Sequence, residues 1–172
     1  APAAPYSPKR WIFTMPILVG VNSYVTTDEA DAYFDDRLYV QAWTDATTAQ
    51  RESALAMAAR AVDGQNYAGS ITGTSQAMAW PRQGVYDRER RAIDSAVVPQ
   101  AVKDAQCEVA LALLKEDPAE ARDPNTASVK AGSVEMSFYR SHTSQTALRG
   151  SALALVKPFL LDPGSASARL VP

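Results

Sequence analysis

Apolar positions recur at helical spacing in four stretches of the chain, and each stretch carries a start or stop signal. After Thr26 or Thr27, the residues Ala30, Tyr33, Phe34 and Leu38 fall on one face. Thr26 with Glu29 three residues on reads as a capping box, and Asp28 and Glu29 suit the positive end of the helix dipole. A second helix is predicted over Thr48–Val62, where Leu55, Ala58, Ala59 and Val62 form a stripe and Gly64 supplies a stop. A third runs from Pro99, a favoured first-turn residue, to Lys115. Val102, Ala105, Val109 and Leu113 line one side of it, and Cys107, Leu111 and Leu114 another. A helix apolar nearly all round is buried from several directions, and one of those directions is expected to be a neighbouring subunit. The last predicted helix spans Ser151–Leu161 through Leu153, Val156, Phe159 and Leu160, with Pro158 breaking or kinking it midway.

Two other patterns separate these helices. Residues 65–98 lack periodicity and carry Gly69, Gly73, Pro81 and Gly84, and so long an irregular stretch inside one domain is usually functional. Over residues 128–138, Val129 and Ala131, then Val134, Met136 and Phe138, alternate around Gly132-Ser133, the pattern of a β-hairpin. An isolated hairpin is marginal and should lean on the helices or on another chain. The expected fold is mainly α: a small bundle of about four helices with one β-hairpin, a long ordered loop and extended termini. Residues 1–20 would form an arm, 21–161 the helical domain and 162–172 a tail.

Composition sharpens this picture. A chain of 172 residues with 31 alanines and only 8 glycines leans helical. Lys and Arg number 17 against 19 Asp and Glu, a net charge of −2, so the positive excess of a general nucleic-acid binder is missing. Lys9 and Arg10 before an apolar run superficially resemble a secretion signal. Pro16 interrupts that run and no small-x-small cleavage pattern follows, so a Pro-rich arm leading into a strand-like segment is expected instead.

Candidate chemistry is sparse. His142, the one histidine, sits in a polar stretch with no nucleophile elbow elsewhere, and reads as a solvated side chain. Cys107, the one cysteine, lies in an apolar helix where a thiol behaves as a small hydrophobe. Asp28, Asp31 and Asp35 could share a face and bind a hard cation, but a solvated face that compensates the dipole is the simpler reading. The nearest approach to a nucleic-acid feature is Arg82, Arg88, Arg90 and Arg91 beside Trp80 and Tyr86, a stacking-plus-charge platform for single strands. Its surplus over residues 82–91 is only +2, which favours an interface loop with Arg and aromatic anchors. No catalytic, metal or cofactor site assembles from these residues. The expectation is an interaction protein that is not an enzyme.

Four segments together carry a family resemblance. They are Asn22-Ser-Tyr-Val25 with Asp28-Glu-Ala-Asp-Ala-Tyr-Phe34, then Ala77-Met-Ala-Trp-Pro-Arg82, then Val98-Pro-Gln-Ala-Val-Lys-Asp-Ala-Gln-Cys-Glu-Val-Ala-Leu111, and Ser128-Val-Lys-Ala-Gly-Ser-Val134. The chain resembles small tailed-phage proteins labelled DnaT-like single-stranded-DNA-binding, which by element order also look like head–tail adaptors. The adaptor resemblance implies a dodecameric ring beneath the portal protein, in the neck of the virion. Such a ring would extend the DNA channel, meet a downstream neck or tail-completion protein, and pass packaged DNA without sequence-specific contact or membrane association. The DNA-binding label implies a replication accessory instead. On the adaptor reading the expected interface residues are Trp80, Arg82, Tyr86, Arg88, Arg90, Arg91, Leu111, Leu114, Leu153, Val156, Phe159 and Leu160, with Leu153–Leu161 toward the portal.

Overall fold

The computed structural model describes residues 16–115, the backbone of two paired strands within 126–139, and residues 150–161. The capping box forms as expected: Glu29 N donates to Thr26 Oγ1 at 3.0 Å and Thr26 N to Glu29 Oε2 at 2.8 Å. It starts α1, Thr27–Asp35, which buries Ala30 and Phe34. Leu38 departs from its expected place. The helix stops at Asp35, and Leu38 stands 77% exposed in the turn beyond it. Trp43, on a short helix α2 (Gln41–Thr44), packs against Phe34 instead, at 4.7 Å between ring centroids. Four residues are too few to show a period, so nothing in the apolar pattern announces α2.

A second capping box, Thr47 with Gln50, opens α3, Thr48–Asp63. Its buried stripe is the predicted one, Leu55, Ala58, Ala59 and Val62, with Ala54 added. Gly64 follows as the cap, at a φ of −71° and not in the left-handed form. Helix α4, Gln100–Lys115, begins one residue after Pro99 and buries every residue from Ala105 to Leu111. It packs against α1, α2, α3 and a last helix α5, Gly150–Val156. The apolar residues on its several sides are therefore covered within the subunit: Cys107 and Leu111 are buried and Leu114 is partly buried. Cys107 and Leu111 therefore need no neighbouring copy to cover them.

The predicted last helix is shorter than expected. Helix α5 ends at Val156 and gives way to a 3-10 turn, Lys157–Phe159. Pro158 has no N–H to donate, which accounts for the change of hydrogen-bond pattern there. The hairpin is present as β3 (Thr126–Ala131) and β4 (Val134–Tyr139), paired antiparallel with Ala131 opposite Val134.

The stretch 65–98 is irregular but tied at several points. Two-residue strands β1 (Ser70–Ile71) and β2 (Arg82–Gln83) pair antiparallel, Tyr67 bridges to Leu160, and Tyr86 bridges to Ala92. Gly69, at a φ of +69°, lets these segments approach, because a Cβ there would meet Gln83 O at 2.2 Å. The Trp80–Pro81 peptide is cis. The core lies between α3, α4 and α5, closed by Tyr24 and Val25 before α1 and by Tyr67, Met78, Trp80 and Val85 of this stretch.

Candidate interaction surface

Gln106, fully buried in the middle of α4, is the centre of a polar lattice. Its Oε1 accepts from Tyr24 N at 2.9 Å, and its Nε2 donates to Ser23 Oγ at 2.7 Å and Leu55 O at 2.9 Å. Buried polar atoms must be paired or the fold loses their hydration without return. Gln106 meets that demand while fixing the chain before α1 against both central helices. The Tyr24 hydroxyl then donates to the Asp63 carboxylate. Burial, reinforced by Asp63, pushes the Tyr24 phenol well above its ordinary range, so it stays a donor. Asp63 also accepts from Ala79 N at 2.6 Å, and Trp80 N reaches the Tyr24 hydroxyl at 3.3 Å.

Trp80 itself is in the core at 1% exposure, edge-on to Tyr67 and Phe159. Its indole N–H has no hydrogen-bond partner among the described residues. Arg82 is a fork that holds backbone in place. It donates to Ala68 O at 2.8 Å, Gly69 O at 2.9 Å, Ala79 O at 3.2 Å and Tyr67 O at 3.4 Å. Trp80 is closed off in the core, and the partly buried Arg82 guanidinium is engaged by backbone carbonyls. The expected platform is thereby divided, with Trp80 and Arg82 turned inward and Tyr86, Arg88, Arg90 and Arg91 exposed.

The exposed part is a tight excursion over residues 86–92. Asp87 N donates to Arg91 O at 2.9 Å, and Arg90 N to Asp87 O at 3.0 Å. Arg91 N and Nε both reach the Asp87 carboxylate, at 2.8 and 2.7 Å, and Arg91 also pairs with Glu89 at 3.2 Å. The Arg91 backbone N–H, with its guanidinium, holds the Asp87 carboxyl below the usual carboxylate range. Arg91 is thus engaged within the turn. Arg88 and Arg90, at its tip, form no ion pair among the described residues.

The other expected contact residues also point mostly inward. Leu111, Val156 and Phe159 are buried, and Leu114, Leu153 and Leu160 are partly buried against the core. The main chain of 159–161 is joined to the loop as well, through Ala68 N to Phe159 O at 2.9 Å and Leu161 N to Asn66 O at 2.7 Å. Residues 153–161 thus complete the core of their own subunit, with Ala154, Lys157, Pro158 and Leu161 left exposed. Cys107 is a buried thiol pushed up to about 12 by desolvation, an inert state for a nucleophile. Asp31 is engaged by Trp43 Nε1 at 2.7 Å and Arg51 at 3.2 Å, and no metal-holding cluster occurs among the described residues. His142 lies outside the described residues.

Other features went unforeseen in the apolar pattern. Glu108, buried on α4, accepts from Tyr33 Oη at 2.6 Å and Ser151 Oγ at 2.6 Å and pairs with Arg37, joining α1, α4 and α5. Gln106 and Glu108 were visible as polar letters inside an otherwise apolar helix, the signal that marks a buried polar node. The corner after α1 leaves Leu38 and Tyr39 outward, Tyr39 at 86% exposure and a φ of +63°.

No curated protein and no solved structure matches the chain. A family model described as "Putative DnaT-like ssDNA binding protein" matches residues 14–171. That span takes in the lattice, the Trp-Pro-Arg segment, the tip and the corner, and the chain belongs to this DnaT-like family.

Proposed function

We propose that the protein is a structural subunit, a head–tail adaptor of a tailed phage. In this reading it forms a ring under the portal that continues the DNA channel toward the neck. The observation that supports it most directly is the placement of Trp80 and Arg82. A stacking platform for single strands needs its aromatic rings and cations in the open. Here the tryptophan is core and the arginine is held by four backbone carbonyls. What remains outward is a set of large contact residues, including Leu38, Tyr39 and Tyr86, suited to protein partners. The net charge of −2 fits a channel wall past which DNA slides, since each close phosphate contact would retard it.

The test is to mix the purified chain with a portal assembly and collect electron-microscope class averages. Rings seated coaxially on the portal are the expected result. A portal that stays bare overturns the reading. The second reading, single-strand binding, is favoured by the family description and by Tyr86 beside Arg88 and Arg90 at an exposed turn. It requires affinity for an oligothymidylate that falls steeply with salt and loses part of that slope on Arg88→Ala with Arg90→Ala.

A further inference from the structure

Two places on the subunit share an unusual backbone and complementary surfaces. Among the described residues, Tyr39 (φ +63°) and Arg90 (φ +62°) are the non-glycine residues in the left-handed region. That conformation is strained for an L-residue and tends to persist where the surroundings have a use for it. Both residues are outward and carry no core packing that would explain the strain. At the first place, Leu38 and Tyr39 stand 77% and 86% exposed beside Asp35 and Asp36. Both carboxylates are exposed and form no ion pair among the described residues. At the second place, Arg88 and Arg90 project beside Tyr86, equally without acidic partners of their own.

The two places are anchored at opposite ends of α3. Arg51, in the first turns of that helix, donates to Trp43 O and Thr44 O at 3.0 Å each and so fixes the corner side. Asp63, its last residue, holds Ala79, from which the chain runs to Val85 and the tip. Residues 51 and 63 of one helix are on the order of 18 Å apart, so the two places are tied to the scaffold at well-separated points.

We propose that the Asp35–Tyr39 corner of one copy receives the Arg88–Arg90 tip of the next copy, head to tail. The Tyr39 ring offers an arginine its face, Asp35 and Asp36 offer carboxylates, and Leu38 gives the contact an apolar centre. Charge complementarity selects this occupant, since the tip is cationic and the corner anionic on the same chain. A contact between two different patches is heterologous, and repetition closes a ring when the rotation per copy divides a full turn. The proposal rests on the ring reading above and names the surfaces that would make it.

Charge reversal tests it with an internal control. Asp35→Lys with Asp36→Lys makes both ends of a copy positive, and Arg88→Glu with Arg90→Glu makes both ends negative. Each variant alone should self-associate at least about tenfold more weakly than wild type in sedimentation. An equimolar mixture should recover to within about threefold, because alternating copies restore every contact. Rescue on mixing is something a misfolded variant cannot give. Tyr39→Cys mixed with Arg88→Cys, treated with a short bis-maleimide on the assembled ring, should give a 39–88 cross-link between copies. Reversals that leave association unchanged, a failure of mixing to restore it, cross-links only between two copies of residue 39, or a chain that never self-associates would each overturn the contact. Rings that still seat on the portal while the 39–88 link is missing would overturn this contact and leave the adaptor reading standing. A bare portal defeats the adaptor reading itself.

Discussion

Gln106 Nε2 donates to Ser23 Oγ at 2.7 Å, joining residues 83 positions apart in the chain at a point with no access to water. This contact links two of the segments by which the chain resembles its family. A third joins through Tyr24 and Asp63, which together hold Ala79 and Trp80. Three of the four segments that carry the resemblance thus join in one buried hydrogen-bond lattice.

Gln106→Leu should be far more damaging than its near-constant volume implies. It strands the Tyr24 N–H in the core, and it takes one partner each from the Ser23 hydroxyl, which keeps Val25, and from the Leu55 carbonyl, which keeps its place in the α3 ladder. A stranded buried group costs about 1–3 kcal/mol, so a loss of that size is expected in urea unfolding. A loss under about 1 kcal/mol would mean that the lattice is not a fixed feature of the core.

Arg82→Lys separates the fork from the charge. A lysine keeps the positive charge but cannot span four carbonyls in a plane. The expected result is a loss of about 1–3 kcal/mol in stability. If Arg82 instead served a bound strand, the lysine would leave stability unchanged and weaken oligonucleotide binding.

Helix positions were legible in the sequence wherever a cap and a long period coincided. Thr26 with Glu29, the stripe Leu55–Val62 and the run beginning at Pro99 all show this, and the hairpin followed from alternation around residues 132–133. Periodicity reports that a face is apolar and says nothing of what covers it. Hence Leu111, Val156 and Phe159 could be taken for contact residues when the subunit's own elements cover them. The Trp80–Arg82 segment misled for a related reason. An exposed stacking arginine and a carbonyl-holding one are spelled alike, and only the fold of residues 67–82 distinguishes them.

Truncation before Gly150 should unfold the subunit. Helix α5 and the turn after it supply Ala152, Val156 and Phe159 to the core and carry the main-chain bonds to Asn66 and Ala68. Burying aromatic and aliphatic side chains of this size contributes about 1.5–3 kcal/mol each, so their joint removal approaches the whole stability of a small domain. Loss of a cooperative melting transition by circular dichroism is expected. A truncated chain that melts as cooperatively as the full one would show that this segment is dispensable to the fold.

Replacing Glu29 by glutamine tests the start of α1 through pH. The Thr26 backbone N–H, followed by Lys103, whose Nζ is 3.0 Å away, holds the Glu29 carboxyl below the ordinary carboxylate value. A folded-state value below the unfolded one means that the ionised carboxylate contributes stability above the unfolded value of about 4.3. That contribution disappears as pH falls through the lower, folded value. Glutamine still accepts from Thr26 N, so Glu29→Gln should keep the cap and lose only the charge-dependent part. At neutral pH the variant should melt slightly below wild type, because Glu29 is half exposed and its pair with Lys103 is screened. The two melting temperatures should converge as pH falls from about 4.3 through the lower, folded value. A gap that stays constant across that range would assign the effect to the cap geometry and remove the charge from the account.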